Sequence, residues 1–194
     1  MQIYTRTGDQ GITRIIGGHS IYKDDERIHA FGEIDELNSF IGVCRSHYKL
    51  WDSLEKELIQ IQHYLFDSGT DLANPDTHAQ WKLTDDTLLW LESCIDRYST
   101  IPNPIEYFIL PGGSPLASYL HVLRTVTRRV ERQCVQFTRN HQTNPLVIKF
   151  INRLSDYFFV CARVANYYDN QEDITYQGAG KVFHNELTKK DIPK

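Results

Sequence analysis

Arg124, Arg128, Arg129, Glu131 and Arg132 stand close together in the run Arg124-Thr-Val-Thr-Arg-Arg-Val-Glu-Arg132. At about 100° per residue, a helix carries Arg124, Arg128 and Glu131 in one narrow sector, with Arg132 at its edge and Arg129 pointing elsewhere. Leu116, Leu120, Leu123, Val130 and Cys134 fall in a neighbouring sector that reads as the core-facing side. The guanidinium row therefore borders the packed face. An arginine fork matches phosphate or carboxylate oxygens two at a time, so a fixed row of forks suits a polyphosphate. A solvated face with local pairs, such as Arg128 with Glu131, would use the same residues.

A second group with anion chemistry lies at the N-terminus, in Tyr4-Thr-Arg-Thr-Gly-Asp-Gln-Gly-Ile-Thr13. Gly8 and Gly11 expose backbone N–H groups, while Thr5, Arg6, Thr7 and Thr13 add side-chain donors, as in a phosphate cradle. The run is not a Walker A motif, and glycine-rich stretches also serve simply as turns. Lys23 follows within reach of a phosphate, or as a plain surface charge. Asp35 comes early in a helix, where a carboxylate suits the dipole. It also follows the core position Ile34, and a carboxylate bordering a core needs a cationic partner. Phe108, in an apolar stretch that turns through Pro111-Gly-Gly113 into the arginine helix, reads either as core or as a wall beside a large planar ligand. Asn152 follows the core residue Ile151 and could meet a ligand's polar edge or bond to a neighbouring helix.

Other chemistry is excluded. There is no HExxH, G-x-S-x-G elbow or Rossmann fingerprint, and Glu26-Arg-Ile-His29 stands alone where a di-metal bundle needs paired Glu-x-x-His motifs. The eight histidines show no ligand spacing. Formal net charge is −4, which gives no reason to expect nucleic acid, so an anion site must be made locally. Cys44, Cys94, Cys134 and Cys161 are far apart on apolar stripes, which predicts reduced, buried thiols. No signal-peptide pattern opens the chain and no apolar run reaches membrane-spanning length, so the expected location is cytoplasmic.

The elements that must position these residues follow from periodicity. At 194 residues one domain is expected over 1–194, divided into a glycine-rich loop (1–27), a helical bundle (28–169) and a loose tail (170–194). Ile28, Phe31, Ile34, Leu37, Ile41 and Cys44 step by three or four, as do Leu54, Leu58, Ile61 and Leu65. Thr84 can cap a third helix. Ser114-Pro115 predicts a helix running to about Asn140, and Asn144-Pro145 another carrying Val147 to Tyr168. Five such helices without alternating strands give an all-α bundle.

Taken in order, Tyr4–Thr13, Gly32-Glu-Ile-Asp-Glu-Leu-Asn38, Ile61–Phe66 with Asp71-Leu-Ala73, Phe108–Gly113, Arg124–Arg132 and Ile151–Asp156 resemble the PduO-type ATP:corrinoid adenosyltransferases. The resemblance implies a five-helix bundle of the ferritin-like, cobalamin adenosyltransferase type, assembled as a homotrimer with ATP between neighbouring subunits. It implies attack by cobalt(I) of a reduced corrinoid on C5′ of ATP, assisted by Mg²⁺, giving adenosylcobalamin and triphosphate. A reductase would supply the electrons. Position by position, Thr5, Arg6, Thr7, Gly8, Thr13 and Lys23 match the ATP-contacting loop. Arg128, Arg129, Val130, Glu131, Arg132 and Asn152 match the second ATP surface. Asp35 and Arg124 match a pair that bridges subunits. Phe108 matches an aromatic that excludes the corrinoid's lower axial ligand. Leu123 and Val130 stand where small residues are common in the family. A non-catalytic ATP or polyphosphate sensor on the same bundle, and a plain helical scaffold, are the competing readings.

Overall fold

The computed structural model describes residues 3–76, 80–178 and 180–182. Five helices follow an N-terminal hairpin: α1 (Glu26–His47), α2 (Asp52–Ala73), α3 (Asp85–Ser99), α4 (Pro115–Thr138) and α5 (Leu146–Tyr168). α4 is central, packed on α5 and α1; α2 covers the far side of α1, and α3 the far side of α5. The expected stripes meet in one core. Ile34, Leu37 and Ile41 of α1, Leu58 and Ile61 of α2, Leu120, Leu123 and Val130 of α4, and Ile151, Leu154 and Phe158 of α5 are all buried.

The helices begin where the caps predict. Ser114 Oγ accepts from the Ala117 N–H at 3.2 Å, with Pro115 at the first helical position. Thr84 and Thr87 form a reciprocal capping box on α3. Asn144 acts one residue earlier than expected: its Oδ1 accepts from the Leu146 N–H at 3.0 Å, and Pro145 takes the N-cap position. The same side chain donates to Asp71 Oδ2 at 2.7 Å and to the Leu83 carbonyl at 3.0 Å. Asp71 also accepts from the N–H groups of Lys82 and Leu83, so one buried carboxylate joins the end of α2, the approach to α3 and the start of α5. The four cysteines are free and buried.

Two expectations need correction. The N-terminal segment is not all loop: β1 (Ile12–Arg14) pairs antiparallel with β2 (Ser20–Tyr22), Thr13 opposite Ile21. Turns with positive φ at Gly17 and Gly18 let so short a hairpin close, and α1 starts at Glu26, where Asp25 accepts from the Arg27 N–H. The tail is also tied down over its described part. Leu110 donates to Ile174 O and Tyr176 to Phe108 O, each at 2.7 Å, and Val182 donates to Glu106 O at 2.8 Å. Residues 183–194 of the expected loose tail lie outside the described residues.

Candidate functional site

Phe108, in the loop before α4, lines a cleft of about 400 Å³ together with Arg124 and Arg128 of α4. Ser155, Asp156 and Phe159 of α5 and Tyr176 from the tail line it too. The loop is fixed from below. Gly113 has φ +109°, and a Cβ there would lie 2.0 Å from Asn166 Oδ1, so only glycine lets the chain pass. Asn166 uses that close approach: Oδ1 accepts from the Ser114 N–H at 2.9 Å, and Nδ2 donates to the Gly112 carbonyl at 3.0 Å. Asp173 of the tail accepts from Asn166 at 3.2 Å and from Arg163 Nε at 2.7 Å, while Arg163 also reaches the Asn103 carbonyl. A buried polar clamp at the end of α5 thus sets loop, tail and the start of α4 together.

The arginine row divides by environment. Arg128 is exposed and forms no ion pair among the described residues. Arg124 is half-buried, and its Nε is buried with no hydrogen-bond partner. Burial and then the like charge of Arg128 depress its pKa, yet a guanidinium stays protonated. Loss of solvent pushes the Asp156 carboxyl up, against the pull of Arg153 and Arg128. Arg132 turns back to donate to the Arg128 carbonyl at 3.0 Å. Arg129 pairs with Glu33 and Glu36 of α1, outside the cleft. The Val130 side chain is wholly in the core, so its helical position puts no side-chain atom on a ligand. Asn152 takes the bland option: Nδ2 donates to Glu131 Oε1 at 2.8 Å, and Oδ1 accepts from Arg153 at 2.9 Å. Glu131 is accordingly paired with Asn152 and not with Arg128.

None of Thr5, Arg6, Thr7, Gly8, Thr13 and Lys23 lines this cleft. They make a cradle of their own. Thr5 and Thr7 hydroxyls lie 2.9 Å apart around Arg6, which has φ 61°. Thr13 sits on β1, and the Lys23 N–H donates to the Gly11 carbonyl at 2.8 Å. A Cβ on Gly8 would come within 2.9 Å of Lys23 Nζ, so the ammonium lies against the bare glycine backbone. Asp35 belongs to another surface, a groove of about 310 Å³ between α1 and α2 that also includes Ile16, Phe31, Asn38 and Phe66. It is exposed and does not meet Arg124 within the chain.

His121 and Phe159 complete the cleft without having stood out in the sequence. His121 had a signal: it precedes Arg128 by seven residues and shares its helical sector. Phe159 is a phenylalanine in an apolar run, and nothing local separates it from its buried neighbour Phe158.

The fold and this site define an all-α helical bundle with a cationic N-terminal segment and a cleft lined by arginines and aromatic side chains, chemistry suited to an anionic ligand. Comparison with known proteins narrows this class. The cobalamin adenosyltransferase family model matches residues 3–165. The corrinoid adenosyltransferase of Bacillus subtilis is 43% identical over 186 residues, covering 94% of this chain and 96% of that protein. That of Citrobacter freundii is 39% identical over 166 residues, covering 84% and 94%. A phenylalanine-to-histidine variant of the PduO-type ATP:corrinoid adenosyltransferase from Lactobacillus reuteri, solved with cobalamin and ATP, aligns with a TM-score of 0.88 at 49% identity, over 94% of this chain and 100% of that one. The chain belongs to the cobalamin adenosyltransferase family, among its PduO-type ATP:corrinoid enzymes.

Proposed function

We propose that this protein transfers the 5′-deoxyadenosyl group of ATP to cobalt(I) of a reduced corrinoid in the Phe108–Arg128 cleft. The cobalt lone pair forms the Co–C5′ bond, the C5′–O bond breaks, and its electron pair leaves with triphosphate. Cobalt(I) is formally oxidised to cobalt(III). So strong a nucleophile needs no catalytic base, and the cations and aromatic side chains of the cleft support a role in positioning and charge stabilisation. The observation that carries the reading is the juxtaposition of Phe108 with Arg124 and Arg128 in one cleft. The corrinoid lies against Phe108 and Phe159, and the triphosphate against Arg128 and Arg132. Placing C5′ against cobalt in this way can contribute roughly 7–11 kcal/mol.

Phe108, half exposed in the cleft lining, would pack against the corrinoid's lower face and keep an axial ligand from it. An electron from a reductase then enters a lower-lying orbital. Thr5, Arg6, Thr7, Gly8, Thr13 and Lys23 supply the other grip on ATP, and since they do not enter the cleft of their own chain, they act on a neighbour's. The unpartnered Nε of Arg124 and the exposed Asp35 support the same assembly, a homotrimer whose sites lie between subunits. In this reading Arg129 and Asn152 position α4 and Glu131, and Val130 contributes only packing.

Among the described residues no group of three His, Cys, Asp or Glu side chains is placed to hold a metal ion alone. Mg²⁺ characteristically binds substrate phosphates, water and one or two carboxylates. Glu131 and Asp156, beside the arginine row, are the carboxylates that fit this pattern. Mg²⁺ there would neutralise phosphate charge. No helix among the described residues is long and apolar enough to cross a membrane, and the cytoplasm is the compartment we assign.

The test is incubation with ATP, Mg²⁺ and chemically reduced cobalamin. The expected product is light-sensitive with an alkylcobalamin spectrum, and triphosphate is released in equal amount. Binding of MgATP with no such product would leave only the sensor reading.

A further inference from the structure

His121 is 3% exposed, and neither ring nitrogen has a hydrogen-bond partner. An unsatisfied buried polar group is costly, and this side chain carries two. It nevertheless lines the cleft beside Phe108, Arg124 and Phe159, its ring centroid 6.2 Å from that of Phe159. Its place on α4 locates it along the bound substrates. At about 1.5 Å per residue, His121 lies roughly 10 Å from Arg128 along the helix axis, towards the end where α4 emerges from the Phe108 loop. That is the aromatic end, away from the triphosphate grip.

We propose that His121 is a corrinoid-contacting residue, a neutral imidazole that pairs with a carboxamide on the edge of the corrinoid ring. The inference rests on the adenosyltransferase reading of the cleft. A neutral imidazole offers one N–H donor and one lone pair, and a primary carboxamide offers the complementary carbonyl and NH₂. A phosphate would need donors only. The charge state agrees: burial, then Arg124, push the His121 pKa down to about 4, with Asp173 opposing. Arg128 and Asp156 are the other charged groups on the cleft wall. A ring kept neutral beside two guanidiniums adds no cation to the phosphate site, and its two unpaired nitrogens leave a specific vacancy for a ligand that both donates and accepts.

The test uses the full chain with His121→Phe, His121→Asn and His121→Gln. Three quantities are measured: steady-state KM for cob(I)alamin and for ATP, equilibrium binding of cob(II)alamin in the presence of MgATP by its absorbance change, and the melting temperature. His121→Phe should raise the corrinoid KM and the cob(II)alamin Kd about tenfold and leave the ATP KM within twofold. Its melting temperature should equal or exceed that of the wild type, because two unpaired nitrogens are removed. At least one of the two amide variants, which keep a donor and an acceptor in place of Nδ1 or Nε2, should recover most of the affinity. An unchanged corrinoid KM and Kd, or a loss confined to ATP, overturns the proposal. So does a failure of both amide variants to bind better than His121→Phe. Where His121→Phe does not fold, the amide variants decide alone: both at or below a tenth of wild-type affinity while stably folded would overturn it. Wild-type turnover in the same assay separates this outcome from failure of the enzyme assignment itself.

Discussion

At the scale of single residues, Phe108 and Arg128 line one cleft and should fail differently. Arg128 is exposed, and if it meets charge that develops on the departing triphosphate as proposed, Arg128→Ala should raise the ATP KM and lower kcat, together by about a hundredfold or more in kcat/KM. Steady-state kinetics with excess cob(I)alamin would measure this, and unchanged constants would remove Arg128 from the mechanism. Phe108→Ala removes an aromatic wall but no charge. ATP binding should survive, turnover starting from cob(II)alamin should nearly vanish, and turnover from pre-reduced cob(I)alamin should fall less. Full activity from cob(II)alamin would mean that Phe108 excludes nothing. The opposite signatures matter, because a general loosening of the cleft would lower both activities alike. The sequence makes Arg128 conspicuous through spacing and charge. It gives Phe108 two readings, wall or core, and half exposure sets it outside the core.

At the scale of elements, the loop from Phe108 to Ser114 depends on one contact that no side chain could share. Gly113 holds a positive φ and lies against Asn166, so Gly113→Ala combines backbone strain with a collision. The expected cost is at least about 2 kcal/mol, several degrees of melting temperature, with loss of corrinoid affinity greater than loss of ATP affinity. A melting curve and the two KM values would test it, and wild-type behaviour in both would show that the loop is not held this way. Sequence reading goes far here and then stops for a physical reason. Helical periodicity and the caps at Thr84 and Ser114 are local, and the five helices follow from them. The clamp of Arg163, Asn166 and Asp173 is not local. It joins α5, a tail and a loop more than fifty positions away in sequence, and none of these residues breaks the pattern of its own segment. For the same reason the tail reads as loose in sequence but is tied to residues 106–110 in the structure. Asn152 keeps two readings in sequence, a ligand's polar edge or a bond to a neighbouring helix, and in the structure its amide donates to Glu131, twenty-one positions earlier.

At the scale of the whole molecule, the proposed site has parts that lie apart within one chain. The N-terminal cradle and the arginine cleft share no lining residue. Arg124 has a buried Nε without an acceptor, and Asp35 is an exposed carboxylate on the α1–α2 groove. A buried guanidinium nitrogen left unpaired is costly, whereas an ion pair across an interface satisfies it and fixes the register of two subunits. Asp35→Asn and Arg124→Gln should therefore each reduce activity and weaken assembly, and the double variant should lose less than the sum of the two. The expected coupling is about 0.5–3 kcal/mol. Sedimentation would report the trimer and kcat/KM the site. If the two losses simply add, the residues act separately and the interface must be sought elsewhere. A stricter form mixes the single variants: a trimer assembled from Asp35→Asn and Arg124→Gln chains has some interfaces in which a wild-type Asp35 faces a wild-type Arg124. Such mixtures should recover part of the activity that neither variant shows alone, and this complementation is possible only if the pair lies between subunits.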